Sequence, residues 1–200
     1  MMTLKNQIIK AVFDFSLALL GLIFSLPIIV LAWIVASIET RSNGFFLQKR
    51  VGKKGEIFTL VKIKTMKPVS GIHTHVTQVG DPRITLSGNF FRKTKIDELP
   101  QLFNVLIGQM SFVGPRPDVE GYADQLQGDQ RMILSIRPGI TGPASIKYRD
   151  EETLLSQQEN PEQYNQQVIW PDKVKINMQY VKNWSLLSDI RYIYQTIVGG

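Results

Sequence analysis

Two carboxylates stand side by side at Asp97-Glu98, and three cations, Arg92, Lys93 and Lys95, lie in the stretch just before them. By residue type, Asp97 suits a helix N-cap, Glu98 suits the first turn, and Pro100 is tolerated there. Plain capping would need nothing more. The basic neighbours and the partial positive charge of a helix start permit a second use. They keep Asp97 ionised and attract phosphate. An ionised aspartate can attack phosphorus and form an acyl phosphate, which divides one transfer into two steps. Glu98 beside it could hold Mg²⁺, which would neutralise charge on diphosphate oxygens. Arginines would stabilise charge spread over the equatorial oxygens.

These side chains need elements to hold them. After Glu98, Leu99, Leu102, Phe103 and Leu106 recur at helical spacing, and Gly108 supplies a stop. Upstream, residues 45–48 and 57–61 read as two short strands around a turn at 52–55. Val113-Gly114-Pro115-Arg116-Pro117 is a stiff loop, because each proline fixes its own φ and restricts the residue before it. Arg137-Pro138-Gly139-Ile140-Thr141-Gly142-Pro143 reads as a second rigid turn, with Pro138-Gly139 suited to type II. Residues 150–168 read as acidic, glutamine-rich surface, and 174–197 as helical. Tyr180, Trp184, Tyr192 and Tyr194 in that last stretch suit a core or a membrane interface, with core preferred. His73 and His75 have ligand-like spacing but no clustered partner, which suits solvated loop residues better than a metal site.

The chain has 200 residues, enough for one modest domain, and no cysteine, which excludes disulfides and thiolate metal sites. From Phe15 to Ile38 no residue is charged, about 24 positions and long enough to cross a bilayer. A signal peptide fits poorly, because no small-residue cleavage pattern precedes Glu39-Thr40-Arg41. A simple span meets two objections. Pro27 sits mid-run, where it removes a helix hydrogen bond and favours a bend. Basic residues flank both ends, and both flanks prefer the cytoplasm. A helix that bends at Pro27 and returns satisfies both, so on residues alone span and re-entrant helix stay open. Residues 41–100 carry 12 Lys/Arg against 4 Asp/Glu, a basic segment suited to anionic lipid or an anionic substrate. No nucleic-acid motif accompanies that charge, so no nucleic-acid partner is expected.

Four motifs follow in order: Lys62-Ile63-Lys64-Thr65-Met66, Asp97-Glu98-Leu99-Pro100-Gln101-Leu102, Met110-Ser111-Phe112-Val113-Gly114-Pro115-Arg116-Pro117, and Arg137-Pro138-Gly139-Ile140-Thr141-Gly142. Together with Phe13-Asp14-Phe15 and the apolar run, they closely resemble the bacterial sugar transferase family, the monotopic phosphoglycosyl transferases. The resemblance covers about residues 10 to 197. It implies a helix-rich α+β fold: a re-entrant membrane helix within residues 1–40, bent near Pro27, and a compact cytoplasmic catalytic domain at 41–200. A small β-element and amphipathic helices at the membrane interface complete that domain. It implies a ping-pong transfer of sugar-1-phosphate from a UDP-sugar to undecaprenyl phosphate on the cytoplasmic face of the bacterial inner membrane, with UMP released. Asp97 would be the nucleophile and Glu98 the Mg²⁺-associated glutamate, with Asp97 beside the same ion. Arg116 would bind nucleotide, and Lys62, Lys64, Arg92, Arg137 and Arg149 would be basic positions for substrate. Membrane lipids are the remaining partner, and a homodimer is compatible with the reading.

The departures are Leu26 where a serine usually precedes the hinge proline, Gln109 in place of an aspartate, Pro143 in place of a tryptophan, and Asn177 at an acidic position. Two other classes compete. A polyprenol glycosyltransferase releasing UDP would generally carry Asp-x-Asp, which this sequence lacks. A non-enzymatic membrane adaptor would explain the apolar run and the charge, but not Asp97-Glu98 set among cations.

Overall fold

The computed structural model describes residues 2–67 and 81–199, so His73 and His75 lie outside the described residues. Helix α1 (Leu4–Thr40) runs 37 residues, capped by the Thr3 hydroxyl and ended by Arg41 in the left-handed region. At 1.5 Å per residue it is roughly 55 Å long, against about 30 Å for a hydrocarbon core. It is long and apolar enough to cross a membrane. Pro27 lies within the continuous helix, and its missing N–H leaves the Ile23 carbonyl without its helical donor.

What α1 buries is a single stripe from Lys10 through Ala18, Leu22, Ile29 and Ala36 to Thr40, spaced by three or four residues. The other faces expose large apolar side chains, including Phe15, Leu20, Phe24, Leu31 and Ile38. Water does not favour such a surface, and lipid does. The stripe packs on the rest of the chain along its whole length. Leu22, Ile29, Ala32 and Ala36 share one core with Ile63, Phe91 and Leu102. That core crosses the Thr40 boundary expected from the sequence.

Both ends of α1 are tied to the same folded body. Near the N-terminal end, Lys10 donates to Asp189 at 2.6 Å, while the Phe112 amide donates to Asp14 at 3.1 Å. Asp189 also accepts from Tyr180 at 2.6 Å and Trp184 at 3.0 Å, so a carboxylate that is fully buried is hydrogen-bonded on both oxygens. At the other end Glu39 accepts from the Ser87 amide and hydroxyl.

Strands β1 (Phe45–Val51) and β2 (Ile57–Ile63) form the expected antiparallel hairpin, each longer than its apolar core implied. Helix α2 (Leu86–Lys93) follows, then a 3₁₀ turn at Ile96–Glu98 and helix α3 (Gln101–Leu106). Strands β3 (Ser111–Val113) and β4 (Gly139–Thr141) pair in parallel and lay the two proline-rich motifs side by side. Gly139 is not the second central residue of a type II turn: it opens β4 without a positive φ. Glycine is needed there for close approach, since a Cβ would strike the Gly114 backbone. Short helices α4 (Pro143–Lys147), α5 (Glu151–Ser156) and α6 (Pro161–Tyr164) lead to α7 (Trp170–Lys182) and α8 (Leu186–Val198). Tyr180 is buried and Trp184 and Tyr192 pack beside it, while Tyr194 is exposed. The result is a helix-rich α+β fold with two small sheets.

Candidate active site

Asp97 sits inside the 3₁₀ turn rather than capping α3, which starts four residues later with Pro100 as its N-cap. The displacement has a local cause. Lys95 adopts φ 58°, ψ 17°, a left-handed conformation unfavourable for a lysine, and breaks the path between α2 and the turn. The Glu98 amide then closes the turn onto the Lys95 carbonyl at 3.2 Å. Helix α3 is also rotated relative to its expected face: Leu102, Val105 and Asn104 are buried, and Phe103 points outward. Gly108, at φ 80°, ends it as expected.

The turn packs against β2, and that brings Lys62 to Glu98. Lys62 Nζ lies 2.8 Å from Glu98 Oε1 and Arg116 Nη2 lies 2.9 Å from the same oxygen. The Lys62 and Glu98 side chains are 18% and 16% exposed, the Arg116 side chain 50%. Burial alone would raise the Glu98 pKa, but the coulombic pull of Arg116 and Lys62 overcomes it and holds the carboxyl well below its usual range. Asp97 is different. Its Oδ1 is buried and has no hydrogen-bond partner among the described residues. Burial and the adjacent Glu98 push its pKa up to about 6, against the pull of Lys62, Arg92 and Lys95. Burial outweighs the basic neighbours in setting that direction. At neutral pH Asp97 is still mostly ionised.

Two neighbouring carboxylates thus differ sharply. Glu98 is a fixed anion engaged by two cations on one oxygen, and Asp97 presents an unengaged oxygen with raised basicity. Lys62, Arg92, Lys95 and Arg116 outnumber the two acids, an excess that suits a diphosphate. No cluster of three or more metal-binding side chains occurs among the described residues. Mg²⁺ is commonly held by one or two carboxylates plus substrate phosphates, and the Asp97–Glu98 pair fits that limited donor set.

Three expected site residues are placed elsewhere. Lys64 donates to Ser42 just beyond α1 at 2.9 Å. Arg137 lies against Gly108, and its charge adds to burial in lowering the Lys53 pKa. Arg149 donates to the Gln195 carbonyl at 3.2 Å, where its charge complements the C-terminal end of α8. Arg92 acts on Asp97 through its charge.

The model of the bacterial sugar transferase family matches residues 5–199. The chain belongs to the bacterial sugar transferase family. The chain is 33% identical over 202 residues to the UDP-glucose:undecaprenyl-phosphate glucose-1-phosphate transferase of Escherichia coli, covering 98% of this chain and 40% of that protein. Identity is 31% over 210 residues to the undecaprenyl-phosphate galactose phosphotransferase of Salmonella typhimurium, covering 96% and 40% respectively. Exopolysaccharide production protein ExoY of Sinorhizobium fredii is 31% identical over 204 residues, covering 94% of this chain and 83% of that protein. The chain therefore spans about two fifths of the first two relatives and most of the third.

Sequence reasoning missed three residues beside this sugar transferase site. Asn104 is buried on α3 and stitches that helix to β2: its Nδ2 donates to the Thr59 carbonyl and to Gln109, both at 2.8 Å, and its Oδ1 accepts from the Val61 amide. The departure Gln109 thus has a partner. Arg50 reaches the Pro117 carbonyl at 3.1 Å, and alternation along β1 could have placed it on the face of Lys62. Asp118 is pushed up to about 7 by burial, against Lys173, Arg50 and Arg116. Nothing in its local sequence signalled that. Of the other departures, Leu26 is exposed on α1, Pro143 opens α4, and Asn177 is buried with its Oδ1 unpartnered among the described residues.

Proposed function

We propose that this chain transfers a sugar-1-phosphate from a UDP-sugar to undecaprenyl phosphate, releasing UMP, through a phosphosugar intermediate on Asp97. The observation that carries the reading is the buried Asp97 oxygen, unpartnered among the described residues, beside a Glu98 clamped by Lys62 and Arg116. An Asp97 oxygen attacks the β-phosphorus, the bond to the bridging oxygen breaks, and UMP leaves with that bond's electron pair. The undecaprenyl phosphate oxygen then attacks the same phosphorus and expels the Asp97 carboxylate. Lys62, Arg92 and Arg116 stabilise the equatorial and leaving oxygens in both steps. Glu98 and Asp97 would hold Mg²⁺ with the diphosphate, and the ion supplies charge neutralisation when bound. The activities named for the relatives agree with this class.

Helix α1 acts as a re-entrant anchor at the cytoplasmic face of the inner membrane, bending near Pro27. Support comes from the ties at both ends. A helix crossing from one side to the other would place Lys10 and Glu39 on opposite faces, yet both bind the same polar body.

The test is nucleotide release from a panel of UDP-sugars with Mg²⁺ and undecaprenyl phosphate. UMP rather than UDP is expected, with a phosphosugar adduct on Asp97 visible by mass spectrometry when acceptor is omitted. UDP as product, or undiminished turnover by Asp97→Asn, would overturn it.

A further inference from the structure

Arg50 projects from the hairpin face that also carries Gln48 and Lys62, since Phe46 pairs with Lys62, Gln48 with Leu60 and Arg50 with Phe58 across the strands. Its guanidinium is held on three donors. Nε and Nη2 donate to Gln48 Oε1 at 3.1 and 2.5 Å, and Nη1 donates to the Pro117 carbonyl at 3.1 Å. The next residue repeats the connection through backbone, the Val51 amide donating to the Asp118 carbonyl at 2.9 Å. The two residues following Arg116 are therefore fastened to the end of β1. Arg116 itself is held at its tip by Glu98, at 2.9 Å, with half of its side chain open among the described residues.

We infer that Arg50 is a positioning residue for Arg116: it fixes the Pro115-Arg116-Pro117 loop so that the Arg116 guanidinium faces a nucleotide phosphate beside Glu98. The inference rests on the reading that Arg116 meets the nucleotide. Chemistry favours arginine in this place. A planar fork can bind Gln48 on one edge and the loop carbonyl on another, which a lysine cannot do. Arg50 also lies close enough to Arg116 for the two charges to repel, with Asp118 and Glu98 offsetting them. A neutral donor would have tied the loop without that repulsion. A bound phosphate anion relieves it.

The test is a double-mutant cycle on UMP affinity, measured by calorimetry with the full chain in lipid nanodiscs. Arg50→Lys is expected to weaken UMP binding ~10-fold, a loss typical of a charged hydrogen bond. In an Arg116→Ala background the same change is expected to cost nothing further, because a residue acting through Arg116 has no effect once Arg116 is gone. Gln48→Ala keeps the Arg50 charge and its loop bond but frees the lateral anchor, and covers the case in which Arg50→Lys fails to fold. It is expected to weaken UMP binding roughly 3-fold, again only when Arg116 is present. Equal losses in both backgrounds, or unchanged affinity with a lowered melting temperature, would overturn the positioning role and leave the transferase reading intact. A wild type that does not bind UMP would overturn both.

Discussion

Replacing each carboxylate of the pair by its amide is expected to move stability in opposite directions. The ordinary aspartate pKa of 3.8 rises to about 6 at Asp97 in the folded chain. Below 3.8 the group is protonated in both folded and unfolded states and costs nothing. Between 3.8 and about 6 the folded protein keeps a proton that the unfolded chain has lost, and above 6 the full penalty applies. At about 1.4 kcal/mol per factor of ten in proton affinity, that penalty is about 3 kcal/mol. Asp97→Asn removes it, so the variant is expected to melt roughly 6–12 °C above wild type at pH 8. At pH 4.5 most of the gain disappears. Glu98 is held below its ordinary value by Arg116 and Lys62, so its stabilisation is present above the ordinary glutamate pKa and lost as pH falls through the folded value. Glu98→Gln leaves the mostly buried Lys62 without its anion and is expected to cost about 2 kcal/mol at pH 8. The assay is differential scanning fluorimetry of the three proteins in nanodiscs at the two pH values. An Asp97→Asn protein no more stable than wild type at pH 8, or a gain that persists at pH 4.5, would refute the claim that burial governs this aspartate.

The rate of the first half-reaction, read as a UMP burst in single turnover, is expected to rise with pH through about 6 and then level, following Asp97 ionisation. Asn104→Leu strands the Thr59 carbonyl, the Val61 amide and Gln109. A stability loss of about 3 kcal/mol by chemical denaturation is expected. Asp189→Asn leaves buried Lys10 with only the longer ion pair to Asp14, at 4.0 Å, and is expected to cost about 3 kcal/mol by chemical denaturation. Limited proteolysis of the same variant is expected to cut more readily near the start of α1, where the tie is lost.

The hairpin and the paired carboxylates at Asp97-Glu98 were legible in the sequence because alternation and adjacent charges are local signals, while Arg116 was joined to them only through the family resemblance. The position of Asp97 within its turn was not, because it depends on Lys95 taking a left-handed conformation that lysine does not favour. Nor was the direction of its pKa. Nearby charges can be read along a chain, but desolvation depends on what packs over the turn from β2 and α1. Lys64, Arg137 and Arg149 show the same limit, since a basic residue near a motif can point to a hydroxyl, a glycine or a helix end. Gly139 fits a type II turn by composition, whereas the partner strand decides its conformation.

Four of the seven residues in the core beneath the site come from α1. Helix α1 is therefore not a detachable tag, and a version lacking it would lose more than half of the buried residues described in that core. Synthesis order matters too. On the proposed anchoring, residues 4–40 leave the ribosome before Ile63, Phe91 and Leu102 and meet lipid with their inner stripe still uncovered. The stripe must stay unsatisfied until the later segments arrive, so insertion and folding become stages of one event. Exchanging α1 between related enzymes would require exchanging the facing residues of β2, α2 and α3 with it.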